Sequence, residues 1–113
     1  VFGDGSQTRS FCFVDDLVEG ILRLASSGYH EPVNIGNPHE MTIKEFAETI
    51  RDALGRDVDI VYKELPVDDP KTRQPDISLA RKVLDWSPKV PLREGIEKTI
   101  PYFEKKLREM GRL

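Results

Sequence analysis

Arg9 and Arg73 are the residues of this 113-residue chain best suited to hold a ligand. Arg9 follows a glycine-rich run, with Gln7 and Thr8 beside it. Arg73 lies in a proline-bounded segment, three residues before Asp76. A guanidinium is planar, permanently charged and offers its donors in a fork. Two of them arriving from separate loops could clamp a diphosphate by bidentate, charge-assisted hydrogen bonds. Asn34, at the end of a short apolar segment, could orient a hydroxyl or a phosphate oxygen. Spacing alone leaves solvated surface arginines as the plainer account of both.

Other patterns suggest chemistry less well. His30 and His39 are nine residues apart, in loops with prolines and no cysteine pair, whereas zinc needs three or four ligands at organised spacing. A Ser-His-Asp or Cys-His arrangement meets the same shortage of convergent partners. Gly3-Asp4-Gly5 lacks the third glycine and the preceding strand of a dinucleotide fingerprint, so it reads as a tight turn. Tyr102 and Lys106 have the Tyr-x-x-x-Lys spacing that puts an ammonium one helical turn from a phenol and lowers its pKa. They fall in the terminal amphipathic stretch with no cofactor fold upstream, where surface residues explain the pair without chemistry.

The elements that must carry these side chains follow from periodicity. Residues 1–10 read as a loop, and Phe11, Phe13 and Val14 as a short strand or extended entry. Asp15 and Asp16 then stand where a helix dipole favours carboxylates, ahead of Leu17, Val18, Ile21, Leu22, Leu24 and Ala25 at helical spacing, with a stop at Ser26-Ser27-Gly28. Residues 32–36 look like a short buried strand. Thr42-Ile43-Lys44-Glu45 fits a capping box opening a helix with Ile43, Phe46, Ala47, Ile50, Ala53 and Leu54 on its apolar face, stopped by Gly55. Residues 58–62 alternate like a strand, and residues 65–76, with Pro66, Pro70 and Pro75, form a loop. Asp76 could cap a third helix containing Leu79, Ala80, Val83 and Leu84, closed by Trp86 and Pro88. From Leu92 the stripe Ile96, Ile100, Phe103, Leu107, Met110 marks a long helix that Pro101 should kink or divide. The sum is a small α/β unit of about four helices and two or three short strands.

Composition bounds the function classes. Twenty acidic residues against 17 Lys+Arg give a net charge of −3, with the basic residues interleaved among acids, so nothing favours nucleic acid as a partner. A lone cysteine, Cys12, excludes an intramolecular disulfide and suits a reducing cytosol. No apolar run approaches the ~18 residues of a membrane span. The chain opens on Val1 rather than Met, which is read as the mark of a piece of a longer polypeptide.

Four stretches, in order over nearly the whole chain, resemble the extended short-chain dehydrogenase/reductases that act on nucleotide sugars, the NAD-dependent epimerase/dehydratase family. They are Gly5-Ser6-Gln7-Thr8-Arg9-Ser10-Phe11 with Phe13-Val14-Asp15-Asp16-Leu17; Val33-Asn34-Ile35-Gly36-Asn37-Pro38 with the helix start at 42–47; Asp68-Asp69-Pro70-Lys71-Thr72-Arg73-Gln74-Pro75-Asp76; and Leu84-Asp85-Trp86-Ser87-Pro88. The Arg-x-x-Asp and Trp-x-Pro elements are shared across that family. The Ser-Gln-Thr-Arg and Asp-Asp-Pro-x-x-Arg-x-Pro-Asp versions are similar to its UDP-glucuronic acid decarboxylase (UDP-xylose synthase) branch.

The resemblance implies that residues 1–113 are the C-terminal nucleotide-sugar-binding part of such an enzyme, with the Rossmann half, which binds NAD and carries the catalytic Tyr-x-x-x-Lys, absent. It implies that Arg9 binds the diphosphate, that Arg73 binds diphosphate or nearby ribose, and that Asp76 contacts the ribose or organises Arg73. Asn34 would line the nucleotide site, with Gln7 as a neighbour of Arg9. No catalytic, cofactor-binding or metal-ligating residue is expected in this part, which alone would be inactive. The implied reaction of the whole enzyme is oxidation at C4 of UDP-glucuronate by NAD, loss of CO₂ from the resulting β-keto acid, and return of the hydride to give UDP-xylose. The implied parent is a homodimer and cytoplasmic, with a Golgi lumen location open for a eukaryotic relative. A dTDP-glucose 4,6-dehydratase or a UDP-sugar 4-epimerase shares the pattern, and a non-catalytic nucleotide-sugar-binding or interaction module is the alternative from another class. Pro101 departs from the family pattern.

Overall fold

The computed structural model describes residues 1–112; Leu113, the last residue of the unit expected over 1–113, lies outside the described residues. The order is β1 (Thr8–Arg9), α1 (Val14–Ser26), β2 (Met41–Thr42), α2 (Ile43–Leu54), α3 (Ser78–Leu84) and α4 (Leu92–Glu109). β1 and β2 pair antiparallel, Thr8 opposite Thr42 and Arg9 opposite Met41. A single parallel bridge joins Phe2 to Lys63.

The helix signals operate for α1 and α2, though the Glu45 carboxylate meets the Thr42 hydroxyl rather than a backbone N–H, and α3 takes Ile77 rather than Asp76 as its N-cap. Asp15 and Asp16 occupy the first turn of α1, and Gly28 beyond its end takes φ +73°. Thr42 caps α2: its hydroxyl oxygen accepts from the Glu45 N–H at 3.0 Å and its O–H donates to the Glu45 carboxylate at 3.0 Å. Gly55 ends α2 in the left-handed conformation, φ +64°.

Four local expectations need correction. β1 at Thr8–Arg9 falls inside residues 1–10, expected as loop, while Phe11–Phe13 form the extended entry and Val14 already belongs to α1. Residues 32–36 and 58–62 form no ladder, although at the end of the second the Val61 carbonyl accepts from the Val1 amine at 2.8 Å beside the Phe2–Lys63 bridge, and Val58, Val61 and Tyr62 remain exposed. Pro101 does not divide the last helix, and α4 runs unbroken through it. Pro101 and Glu97 are both exposed, so the carbonyl that loses its partner to proline is on the solvent side.

One core closes between α1 and α3. Ile77, Ala80, Leu84 and Trp86 are at most 7% exposed, and Leu24, Val33, Ile35, Val83 and Cys12 pack around them. Gly20 lets α1 approach: a Cβ there would lie 2.7 Å from Ile35 Cγ2 and 3.1 Å from Trp86 Cε2. Polar bonds fix the same contact. Trp86 Nε1 donates to the Asp16 carbonyl at 2.9 Å, while the buried Asp16 carboxylate accepts the N–H groups of Lys89 and Val90 at 3.1 and 2.9 Å. Arg23 of α1 donates to the carbonyls of Leu84 and Asp85 at the end of α3, where a cation is favoured.

The opposite side is open. Apolar residues of α2, α4 and the 11–14 segment, among them Phe13, Phe46, Ile50, Ile96, Ile100 and Phe103, surround a cavity of about 990 Å³. No described helix is long and apolar enough to cross a membrane.

Candidate functional site

The segment holding Arg9 is gripped from both edges. On one, Ile43 donates to the Gln7 carbonyl at 2.9 Å beside the β1–β2 pair; on the other, the Thr8 N–H donates to the Lys71 carbonyl at 2.7 Å. The Ser10 hydroxyl reaches the Arg73 carbonyl at 3.4 Å. The proline-rich loop of residues 65–76 is thereby laid along residues 8–10, and the two arginines stand on adjoining segments.

The far end of that loop is tied to residues 34–38. Gln74 Nε2 donates to the Pro38 carbonyl at 2.7 Å and Asn34 Nδ2 to the Asp76 carbonyl at 3.4 Å. Gly36 allows the approach, since a Cβ there would sit 3.1 Å from Pro75 Cγ. Asn37 Nδ2 completes the connection by donating to the Phe11 carbonyl at 2.9 Å. Arg9, Asn34, Arg73 and Asp76 therefore belong to one assembly of three loop segments.

The individual environments differ. Arg9 is partly buried; Nη1 donates to the Thr8 carbonyl at 2.6 Å and Nη2 to the Asp69 carboxylate at 2.7 Å. The Arg73 side chain is exposed and, among the described residues, forms no ion pair with a carboxylate. Asp76 is exposed, and its carboxylate accepts the hydroxyl and the N–H of Ser78, which hold its pKa below the usual carboxylate range. It therefore anchors the entry to α3 from two residues ahead of the first helical position. Gln7 is turned inward: it is 7% exposed and its Nε2 donates to the Phe2 carbonyl at 2.9 Å. Two residues with no role in the sequence reading join the assembly, Asp69 through Arg9 and Arg81 through a polar cavity of about 300 Å³ that it lines with Gln74, Asp76 and Ser78. Asp69 lies in the 68–76 run that carries the family resemblance, which named no role for it, and Arg81, an arginine in a helix, is an ordinary surface pattern.

The remaining candidates stay apart from this assembly. Tyr102 is 61% exposed on α4 and meets Phe103 edge-on, with ring centroids 5.1 Å apart. Burial pushes the Cys12 thiol above its ordinary pKa, with a smaller contribution from the charge of Asp16.

A helical unit of this shape is shared with short-chain dehydrogenase/reductases of the epimerase/dehydratase type. The chain belongs to the GDP-mannose 4,6 dehydratase family, whose pattern matches residues 1–99. Among curated relatives, it is 53% identical over 92 residues to UDP-glucuronic acid decarboxylase 6 of Arabidopsis thaliana, covering 81% of this chain and 27% of that protein. It is 48% identical over 107 residues to UDP-glucuronic acid decarboxylase 1 of Danio rerio, covering 95% and 26%. The chain thus spans about a quarter of the length of these relatives. Among solved structures, UDP-glucose 4-epimerase of Thermotoga maritima with UDP-glucose matches at TM-score 0.89 and 34% identity, over 95% of this chain and 35% of that one. UDP-glucuronic acid 4-epimerase of Bacillus cereus, in complex with UDP-glucuronic acid and NAD, matches at TM-score 0.87 and 28% identity, over 94% and 35%.

Proposed function

We propose that residues 1–113 are the nucleotide-sugar-binding unit of a longer, NAD-dependent UDP-glucuronate decarboxylase that converts UDP-glucuronate to UDP-xylose and CO₂. The observation that carries this reading is the 65–76 loop laid along residues 8–10, so that Arg9 and Arg73 stand on adjoining segments. Decarboxylase relatives of 53% and 48% identity support the choice of reaction.

In this reading Arg9 and Arg73 bind the UDP diphosphate, with Arg73 also within range of the ribose. Asp76 meets the ribose or orders Arg73, and Asn34 lines the nucleoside end. Gln7, whose amide is engaged inside the fold, supports the loop that carries Arg9. These residues hold the substrate; none of them moves a proton or a hydride. Binding energy from the remote UDP group fixes the sugar in register for chemistry elsewhere in the polypeptide.

NAD itself does not fit the described residues. The only clustered glycines, Gly3 and Gly5, are closed over by Leu65 and by Lys44, whose Cβ lies 2.9 Å from where a Gly5 Cβ would be, and residues 6–13 are not helical. The dinucleotide and the groups that do the chemistry therefore belong, in this proposal, to the rest of the polypeptide.

A second reading, a UDP-sugar 4-epimerase, draws on the epimerase structures matched at TM-scores of 0.89 and 0.87. Mass spectrometry separates the two after incubating the uninterrupted parent polypeptide with UDP-glucuronate and NAD. The decarboxylase gives a UDP-pentose lighter by CO₂, and an epimerase gives an isomer of unchanged mass. Recovery of unaltered UDP-glucuronate rejects that substrate.

A further inference from the structure

We propose that Asp69 is a positioning residue for nucleotide-diphosphate binding, acting by aiming the Arg9 guanidinium. The inference rests on the reading of Arg9 as a diphosphate ligand and adds the group that sets its direction.

Arg9 has five N–H donors in a rigid fork. The structure uses Nη1 on the Thr8 carbonyl and Nη2 on Asp69 Oδ1, 60 residues away in sequence. Those two bonds fix the plane of the guanidinium and leave its other donors for an anion. Without them the long side chain would have to be ordered at the moment of binding, which costs affinity.

The carboxylate is itself held. Asp69 ends a turn in which its N–H returns to the Pro66 carbonyl at 3.3 Å, and a following proline, Pro70, disfavours the helical region for the residue before it. The two side chains are 21% and 30% exposed, a setting drier than that of the four helical i,i+4 pairs, whose carboxylates are all 39% exposed or more. Asp68, one residue earlier, is exposed and pairs with no cation among the described residues, so the turn selects which of two adjacent acids meets Arg9. A carboxylate at this place leaves Arg9 its charge and partly offsets it, so the pair can seat a diphosphate through directed hydrogen bonds rather than through diffuse attraction.

The test uses the uninterrupted parent polypeptide, UDP as a calorimetric probe and UDP-glucuronate for steady-state rates. Asp69→Ala is expected to weaken UDP binding and raise KM about tenfold, with kcat within about twofold and an unchanged melting temperature. Asp69→Asn, which keeps an oxygen acceptor toward Nη2, is expected to recover most of the loss. Unchanged or tighter UDP binding in Asp69→Ala, while Arg9→Ala weakens it, overturns the inference and leaves the role of Arg9 intact. A lower melting temperature with UDP affinity unmoved in both Asp69 variants also overturns it, since the pair would then only staple the loop. If Arg9→Ala itself binds UDP normally, the diphosphate reading of Arg9 fails and this inference falls with it.

Discussion

Trp86 and the residues around it, at most 7% exposed, are enclosed by α1 and α3, and each polar group at that contact has a named partner. Between α2 and α4 the same kind of amphipathic helix meets across an open cavity of about 990 Å³, with no buried residue in α2 and only Gly95 buried in α4. Both halves carry apolar residues at helical spacing. They differ in what reaches over them: Val33, Ile35 and Trp86 close the contact between α1 and α3, although Val18, Ile21 and Leu22 on the rest of the α1 stripe stay exposed, whereas Phe11, stacked on Phe46 at 3.8 Å, and Lys98, 5.7 Å from the Phe13 ring, sit beside the other pair. An apolar stripe records a face that wants covering; the cover comes from elsewhere in the chain or not at all. The loop assembly with Arg9 and Arg73 leans on both halves, through the core at Ile77 next to Asp76 and through the capped start of α2 beside β1.

The largest expected effect is in the closed half. Trp86→Ala removes the central side chain and strands the Asp16 carbonyl, so it should cost about 3–5 kcal/mol in urea unfolding, enough to lose the native state of a marginal unit. A smaller loss would show that α1 and α3 can collapse onto the vacated space.

Gly20→Ala tests how tightly that half is drawn together. Alanine gains up to ~1 kcal/mol in helix propensity, but its methyl would crowd Ile35 and Trp86, and crowding of this kind costs about 1–3 kcal/mol. A net destabilisation on the order of 1 kcal/mol is expected by thermal melting. A stabilised variant would mean that Ile35 gives way freely and the core is looser than its burial implies.

Phe103→Ala should do least. Its side chain is 55% exposed, and removing it is expected to cost under about 1 kcal/mol in the same urea assay. A loss approaching that of Trp86→Ala would mean that the α2–α4 face is covered in solution, and the contrast between the halves would fail.

Much of the helical plan was legible in residue types: the acids opening α1, Thr42 and Glu45 opening α2, Gly55 closing it and the stripe of α4. The strands were less so, because alternation at 58–62 describes a segment's own residues, and pairing with residues 1–3 begins only at Val61 and Lys63. Of the two outcomes expected at Pro101, division does not occur: proline removes one hydrogen bond, and an exposed turn tolerates the loss. At the site, Arg9, Arg73, Asn34 and Asp76 stand out by chemical type and by family resemblance. Gln7 stands out equally by position, yet its amide is spent on the Phe2 carbonyl.

The sequence by itself determined where helices start and stop, and which side chains bring fork-shaped positive charge, because capping, dipole and side-chain chemistry act within a few residues. Only the tertiary structure decided that residues 69 and 9 meet across 60 positions, that Asp16 joins Trp86 and the stretch of chain after it, and that the contact around Trp86 is filled while the α2–α4 face keeps an open cavity. Those outcomes depend on which distant segment occupies a given space, and close packing lets only one do so.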